Sequence, residues 1–259
     1  MDAQQVLQLL REDAYEHPVT ALELLETHIS WVLLTGTYAY KIKKPLDLGF
    51  LDFLSLQARQ HCCEEELRLN SRLAPQIYLD VVPITGSIAA PVLDGAGEPI
   101  EYAVRMRRFD PDAILSAQPQ ALTPDLIATL AEQVVAFHAR AARAPAESGF
   151  GDADAVYAPM RQNFSQIRSL RSEERSQLDR LAEWTETQWQ RLQPLLQRRR
   201  AQGRVSECHG DLHLGNIALI DQLPVIFDGI EFDPALRWID CISDVAFLVM
   251  DLAHLGRPE

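Results

Sequence analysis

The sequence predicts an α+β chain in two lobes, an antiparallel sheet carrying one helix in front and a mostly helical part behind. Three observations point there. Short runs of alternating and β-branched residues, set off by turn signals, dominate residues 29–106. From residue 124 onward apolar residues recur at helical spacing instead. Late in the chain, residues 209–228 form a polar loop followed by two short apolar runs, the pattern of a loop feeding a tight hairpin.

Ala3 to Tyr15 reads as an amphipathic helix with Val6, Leu9 and Leu10 on one side, ending before His17-Pro18. Ile29–Leu34 and Thr37–Ile42 are strands joined by the Thr35-Gly36 turn. In the second strand Ala39, Lys41 and Lys43 alternate with Tyr38, Tyr40 and Ile42, so both lysines project from one face. Ser55–Leu73 is helical. Leu69 and Leu73 mark its buried stripe, and steps of three and four place Cys62, Glu65 and Glu66 on the same side. A carboxylate there requires a partner.

Tyr78–Ile84, Ala90–Leu93 and Ile100–Met106 complete a five-stranded sheet, and Arg107 to Pro111 is a polar break. Leu126, Ile127, Leu130, Val134, Val135 and Phe137 pattern a buried helix over Pro124–Arg143, on which His138 reads as a packed or surface histidine. Residues 142–154 are a loop, and Tyr157–Leu170 and Ser172–Arg200 are helices. Arg198, Arg199 and Arg200 sit where a helix C-terminus favours cations. Residues 231–238 read as a loop, and Ile239–Leu252 as a strongly apolar helix.

The chemistry concentrates in His209-Gly210-Asp211-Leu212-His213-Leu214-Gly215-Asn216 and in Asp228. Asp211 can accept a hydroxyl proton, while Asn216 and Asp228 offer the hard oxygens that Mg²⁺ prefers. Ile217–Ile220 and Pro224–Phe227, separated by Asp221-Gln222-Leu223, form a hairpin that folds Asp228 back beside Asn216. This is the residue set of a phosphoryl-transfer site. Two other readings stay open: a metal-dependent hydrolase using His209, Asp211 and His213, and a nucleotide-binding module without catalysis.

The order His209-Gly210-Asp211, Asn216, Asp228 resembles the catalytic loop and metal-binding Asp of aminoglycoside phosphotransferase-like small-molecule kinases, relatives of the protein kinases. The protein-kinase catalytic loop also spaces its Asp and Asn by five. The resemblance is to the domain of this type that occurs alone or ahead of a P-loop domain in bacteria. No Gly-x-x-x-x-Gly-Lys-Ser/Thr is present, so only the first domain is expected.

The resemblance implies a two-lobed protein-kinase-like fold, with residues 1–108 as the nucleotide-binding lobe and 109–259 carrying the catalytic loop and metal site. It implies an ATP or GTP co-substrate, Mg²⁺ on Asn216 and Asp228, and Asp211 as the catalytic residue. Lys41, in Tyr-Ala-Tyr-Lys, matches the strand lysine that reaches the α- and β-phosphates, with Lys43 as the alternative. Glu66 would position it, with Glu65 beside it as the alternative. The turn that covers the phosphates falls at Glu26-Thr27-His28, without glycine, where Thr27 and His28 can donate to phosphate. Met106 to Arg108 would meet adenine through backbone groups. Asp244, followed by Val-Ala-Phe, resembles the Asp that braces the catalytic loop, and Glu231 and Asp233 are acidic neighbours of the metal site. Related kinases continue past the equivalent of Glu259, so a shortened C-lobe is expected.

At 259 residues with 47% hydrophobic content the chain is globular. A formal charge of -13 argues against a nucleic-acid partner and suits a small hydroxyl acceptor of cationic character. Cys62, Cys63, Cys208 and Cys241 form no disulfide framework, and no run approaches eighteen apolar residues. A cytoplasmic protein without membrane association is expected.

Overall fold

A computed structural model of the protein describes residues 1–49, 51–170 and 175–256. In front lie α1 (Ala3–Leu7), β1 (Glu23–Glu26), β2 (Ser30–Leu34), β3 (Tyr38–Lys43), α2 (Leu56–Asn70), β4 (Tyr78–Ser87), β5 (Ala90–Leu93) and β6 (Glu101–Arg107). The strands form one antiparallel sheet ordered β1-β2-β3-β6-β4-β5. It has six strands where the sequence predicts five. The extra one, β1, is an edge strand of mostly exposed residues, and its Glu-Leu-Leu-Glu carries no alternation to betray it.

The helix expected over Ala3–Tyr15 stops after Leu7 and resumes as a single 3-10 turn at Glu12–Ala14. Arg11 between them is extended and reaches the Pro91 carbonyl. Val6 and Leu9 are nonetheless buried against Trp31, Leu33, Tyr40, Ile42 and Ile84, the core on one face of the sheet. The β2–β3 turn needs Gly36: its φ is +93°, and a Cβ there would lie 2.0 Å from the Thr20 hydroxyl oxygen.

Helix α2 begins at Ser55, whose hydroxyl accepts from the Ala58 N–H, and it packs on the other face of the sheet through Cys63. Behind β6 come three 3-10 turns between Pro111 and Ala121, then α3 (Pro124–Arg140), α4 (Ala153–Leu170), α5 (Arg175–Ala201), β7 (Val205–Glu207), β8 (Ile217–Ile220), β9 (Leu223–Ile226), α6 (Pro234–Arg237), β10 (Trp238–Asp240) and α7 (Cys241–His254). Thr123 caps α3 and Pro124 opens it. Helices α4 and α5 pair through Tyr157 stacked on Trp189. Ser172, Glu173 and Glu174, expected to start the second of these, lie outside the described residues.

The expected loop over residues 231–238 instead holds α6 and leads into β10, which pairs antiparallel with β7. Each strand is three residues long, too short for periodicity to register. Arg199 and Arg200 do not serve the end of α5. Arg199 holds Asp240 through two bonds of 2.6 and 2.7 Å, and Arg200 bonds the carbonyls of Phe150 and Ala146. Their charge goes to tertiary docking. Leu212, Leu214, Ile217 and Ile226 anchor residues 209–228 in a core shared with Leu115 and Leu130. Among the described residues no helix is long and apolar enough to cross a membrane.

Candidate active site

The β8–β9 hairpin pairs Ile217 with Ile226, and the Phe227 N–H donates to the Asn216 carbonyl at 2.9 Å. Asp228 therefore leaves the hairpin beside Asn216. Its φ is +62°, a left-handed conformation, and its N–H donates to the Tyr78 hydroxyl at 3.2 Å. Asn216 donates its amide to the Asp211 carbonyl (2.9 Å) and carboxylate (3.1 Å). That fixes the amide so that its oxygen is left for another partner.

Three further contacts hold the loop. The buried Asp244 carboxylate on α7 accepts from the N–H groups of His209 (3.2 Å) and Gly210 (2.9 Å), and His138 Nε2 lies 2.8 Å from it. Gly210 has φ +87°, and a Cβ would stand 2.8 Å from the Leu236 carbonyl oxygen, so only glycine lets the chain pass α6. His209 Nε2 lies 2.9 Å from the Phe227 carbonyl and its Nδ1 accepts from the Asp211 N–H, which ties the loop to the hairpin. Burial holds the His209 imidazole below its usual pKa.

Across the cleft, Lys41 on β3 reaches both Glu66 (2.8 Å) and Asp228 (2.5 Å). Burial alone would lower the Lys41 pKa, but Asp228, Glu66 and Glu231 outweigh it and hold the ammonium charged well above its ordinary range. Burial would likewise raise the Asp228 carboxyl, and the Lys41 charge leaves it below the ordinary value. Of the two glutamates, Glu66 is the one in contact. Glu65 turns to Arg68 and to Arg237.

Lys43 does not face the cleft. It is fully buried and pairs with Glu66 and Glu231 under the Phe53 ring. Glu231 is thus buried in an ion pair rather than free to hold a second ion, and Asp233 caps α6 by accepting from Ala235. The Lys43–Glu231 link escapes sequence reading. Its one trace is a second cation two residues from Lys41 on the same face, with no assigned partner.

Two cavities flank Lys41. An apolar one of about 220 Å³ is lined by Leu25, Val32, Ala39, Met106, Phe109 and Phe227, with Lys41 and Asp228 at its end. A wider one of about 630 Å³ is lined by His28, Lys41, Asp211, Asp228, Ile230 and Glu231. Thr27 lines both, but its hydroxyl closes the β1–β2 turn by donating to the Ser30 carbonyl. The N–H groups of Arg107 and Arg108 are also taken, by the carbonyls of Ile77 and Thr37, so they are not the donors that a base would meet.

His209, Asp211 and His213 do not assemble as a metal centre. His213 caps the following turn by accepting from Gly215, and among the described residues these three are not gathered into a ligand set. Asn216 Oδ1 and the half-exposed Asp228 carboxylate are hard oxygen donors, and that chemistry fits Mg²⁺ rather than a thiophilic ion.

Comparison with known proteins places this geometry. A family model described as the phosphotransferase enzyme family matches residues 55–257. Uncharacterized proteins of Mycobacterium tuberculosis and Mycobacterium bovis are each 32% identical over 250 residues, covering 94% of this chain and 49% of theirs. The chain spans about half the length of the curated relatives it matches. Among solved structures, the GDP and kanamycin complex of APH(2")-IIia aligns with a TM-score of 0.54 at 14% identity, covering 100% of this chain and 84% of that one. The GDP complex of wild-type aminoglycoside 2'-phosphotransferase-IIIa aligns at 0.52 and 15%, covering 98% and 82%. These two likenesses carry the fold, and the family match carries the assignment: the chain belongs to the phosphotransferase enzyme family, as an aminoglycoside phosphotransferase-like kinase domain with the two-lobed protein-kinase-like fold.

Proposed function

We propose that the protein transfers the γ-phosphoryl group of ATP or GTP to a hydroxyl of a small molecule. The observation that carries this reading is the position of Lys41, ion-paired to Glu66 on α2 and to Asp228 across the cleft from Asp211. The nucleotide base takes the apolar cavity beside Met106, and the triphosphate runs past Lys41 toward Asp211. The division of labour falls at residue 108, nucleotide lobe before it and catalytic lobe after it.

Asp211 orients the acceptor hydroxyl and takes its proton, and Asn216 fixes the Asp211 carboxylate through its amide. Lys41 steadies the α- and β-phosphates, and Glu66 keeps its ammonium charged and in place. Asn216 and Asp228 would hold Mg²⁺, which supplies neutralisation of the charge on the transferring phosphoryl group. Lys41 meets Asp228 directly in this state, so binding the nucleotide has to part them. His28 stands at the wider cavity, where it can face phosphate or acceptor.

The acceptor enters that wider cavity. The Asp211 carboxylate on its wall, its side chain 42% exposed, favours a cationic hydroxyl compound. One solved structure that shares the fold holds GDP and kanamycin. Nucleotide and Mg²⁺ as substrates suit a cytoplasmic setting.

An adenosine 5'-acylphosphate, which delivers its acyl group to an amine held at the phosphates, tests the nucleotide half. Lys41, Lys43 and Lys44 are the chain's three lysines, so peptide mass spectrometry reads the outcome cleanly. Acylation of Lys41, suppressed by excess ATP with Mg²⁺, is expected. Acylation of Lys44 alone, or of no lysine, overturns the assignment, and the guanosine reagent run in parallel decides the base.

A further inference from the structure

Next to the loop, three stretches of chain bring together residues that the phosphotransfer reading leaves unused. His138 comes from α3, Cys208 directly precedes His209, and Cys241 is the first residue of α7. Each offers one ligand atom, and the three atoms all lie within 4.8 Å of one another. We propose that His138, Cys208 and Cys241 form a binding site for one thiophilic divalent ion of the Zn²⁺ class, held by two thiolates and an imidazole.

The spacing is close to what such an ion requires. Tetrahedral zinc with Zn–S of about 2.3 Å and Zn–N of about 2.0 Å sets neighbouring ligand atoms about 3.5–3.8 Å apart. Closing the set therefore takes side-chain shifts on the order of 1 Å, not rearrangement of the backbone. The charges also balance, because two thiolates neutralise the dication.

A supporting group is already in place. Asp244 lies 2.8 Å from His138 Nε2. A carboxylate on one ring nitrogen fixes the tautomer that leaves Nδ1 its lone pair, the arrangement found behind histidine ligands of zinc. Asp244 is itself fixed, fully buried and bonded to the backbone of His209 and Gly210.

The sulfurs have only weak commitments. Cys208 Sγ donates to the Ile239 carbonyl at 3.5 Å and Cys241 Sγ to the Ser206 hydroxyl at 3.7 Å. A cavity of about 300 Å³ lined by Val135, Ala139, Arg143, Arg199 and Arg204 opens onto His138 and Cys241, giving an entry path and room for water or an anion as fourth ligand. A hydrogen bond from Cys208, helped by Arg143, favours the thiolate of Cys241, whereas that same bond, burial and Asp244 hold Cys208 as a thiol, so its proton leaves when the metal binds. Cys62 and Cys63 lie apart on α2, buried.

Titration of the reduced chain with Co²⁺ tests the site without reference to kinase activity. The expected result is one Co²⁺ per chain, with the near-ultraviolet sulfur-to-cobalt charge-transfer band and strong visible bands of a tetrahedral site, all displaced by Zn²⁺. Cys208→Ser and Cys241→Ser should each remove most of the charge-transfer intensity, Asp244→Asn should weaken binding by about 10–100-fold, and the Cys62→Ser/Cys63→Ser chain should keep the band. No charge-transfer band in the wild-type chain overturns the proposal whatever the variants do. So does a band that survives in both Cys208→Ser and Cys241→Ser, or one lost from a Cys62→Ser/Cys63→Ser chain that still unfolds cooperatively.

Discussion

Lys41 and Lys43 stand two residues apart on β3, and their surroundings separate their duties. Lys41 is 12% exposed and meets the cleft, whereas Lys43 is closed off completely between Glu66 and Glu231. Removing one partner of a buried ionic cluster leaves uncompensated charge, at a cost of about 3–5 kcal/mol. Lys43→Met should lose stability of that order in urea unfolding, and adding Glu231→Gln should recover part of it. A loss below about 0.5 kcal/mol, the scale of an ordinary surface substitution, would place Lys43 outside the structural network. Asp211 behaves differently because its side chain is 42% exposed and its bonds to Asn216 and His213 are marginal for stability. Asp211→Asn should leave unfolding nearly unchanged and lower the rate of ADP release with a competent acceptor by about 10²–10⁴-fold. Equal rates in the two proteins would remove the proton-accepting role.

At the scale of elements, α2 is the connection between the lobes. Arg68 on α2 and Arg72 in the turn that follows it both meet Glu207, while Arg237 from α6 reaches back to Glu65. The Arg68 hydrogen bond holds the Glu65 carboxyl below its ordinary value. A carboxyl depressed in the folded state contributes stability above its unfolded pKa of about 4.3, and that contribution is lost as pH falls through the folded value. Glu65→Gln should therefore melt lower than wild type at pH 7, and the difference should start to shrink below about pH 4 and vanish once the pH is below the depressed folded value. A difference that persists there would mean packing rather than charge. Periodicity made α2 legible and placed Glu65 and Glu66 on one side, but it could not separate them, because they sit 100° apart and only the tertiary partners choose. The β7–β10 pair and the edge strand β1 escape sequence reading because three or four residues hold too little pattern.

For the whole molecule, the legible part of the site is the part written locally. His209 to Asp228 is one loop and one hairpin, so the closeness of Asn216 and Asp228 follows from turn residues and short apolar runs. A carboxylate on the buried stripe of α2 demands a partner, but it is the family resemblance, not the pattern, that names Lys41 as the partner of Glu66. Glu231 failed that test: in Ile-Glu-Phe after the hairpin it carries no periodicity, and its partner lies 188 residues away. Two cavities around Lys41 and Asp228 are lined by both the front and the back of the chain. On the proposed function, an acidic chain of charge -13 would take a triphosphate there together with its metal.

The measurement that bears most directly on this is the melting temperature with ATP, with and without Mg²⁺, for wild type and Asp228→Ala. A ligand at about 100 times its Kd adds about 2.7 kcal/mol, or roughly 5–10 °C for a chain of this size. The wild-type protein should gain that increment only when Mg²⁺ is present, and Asp228→Ala should not gain it. An equal gain in both proteins would contradict the account.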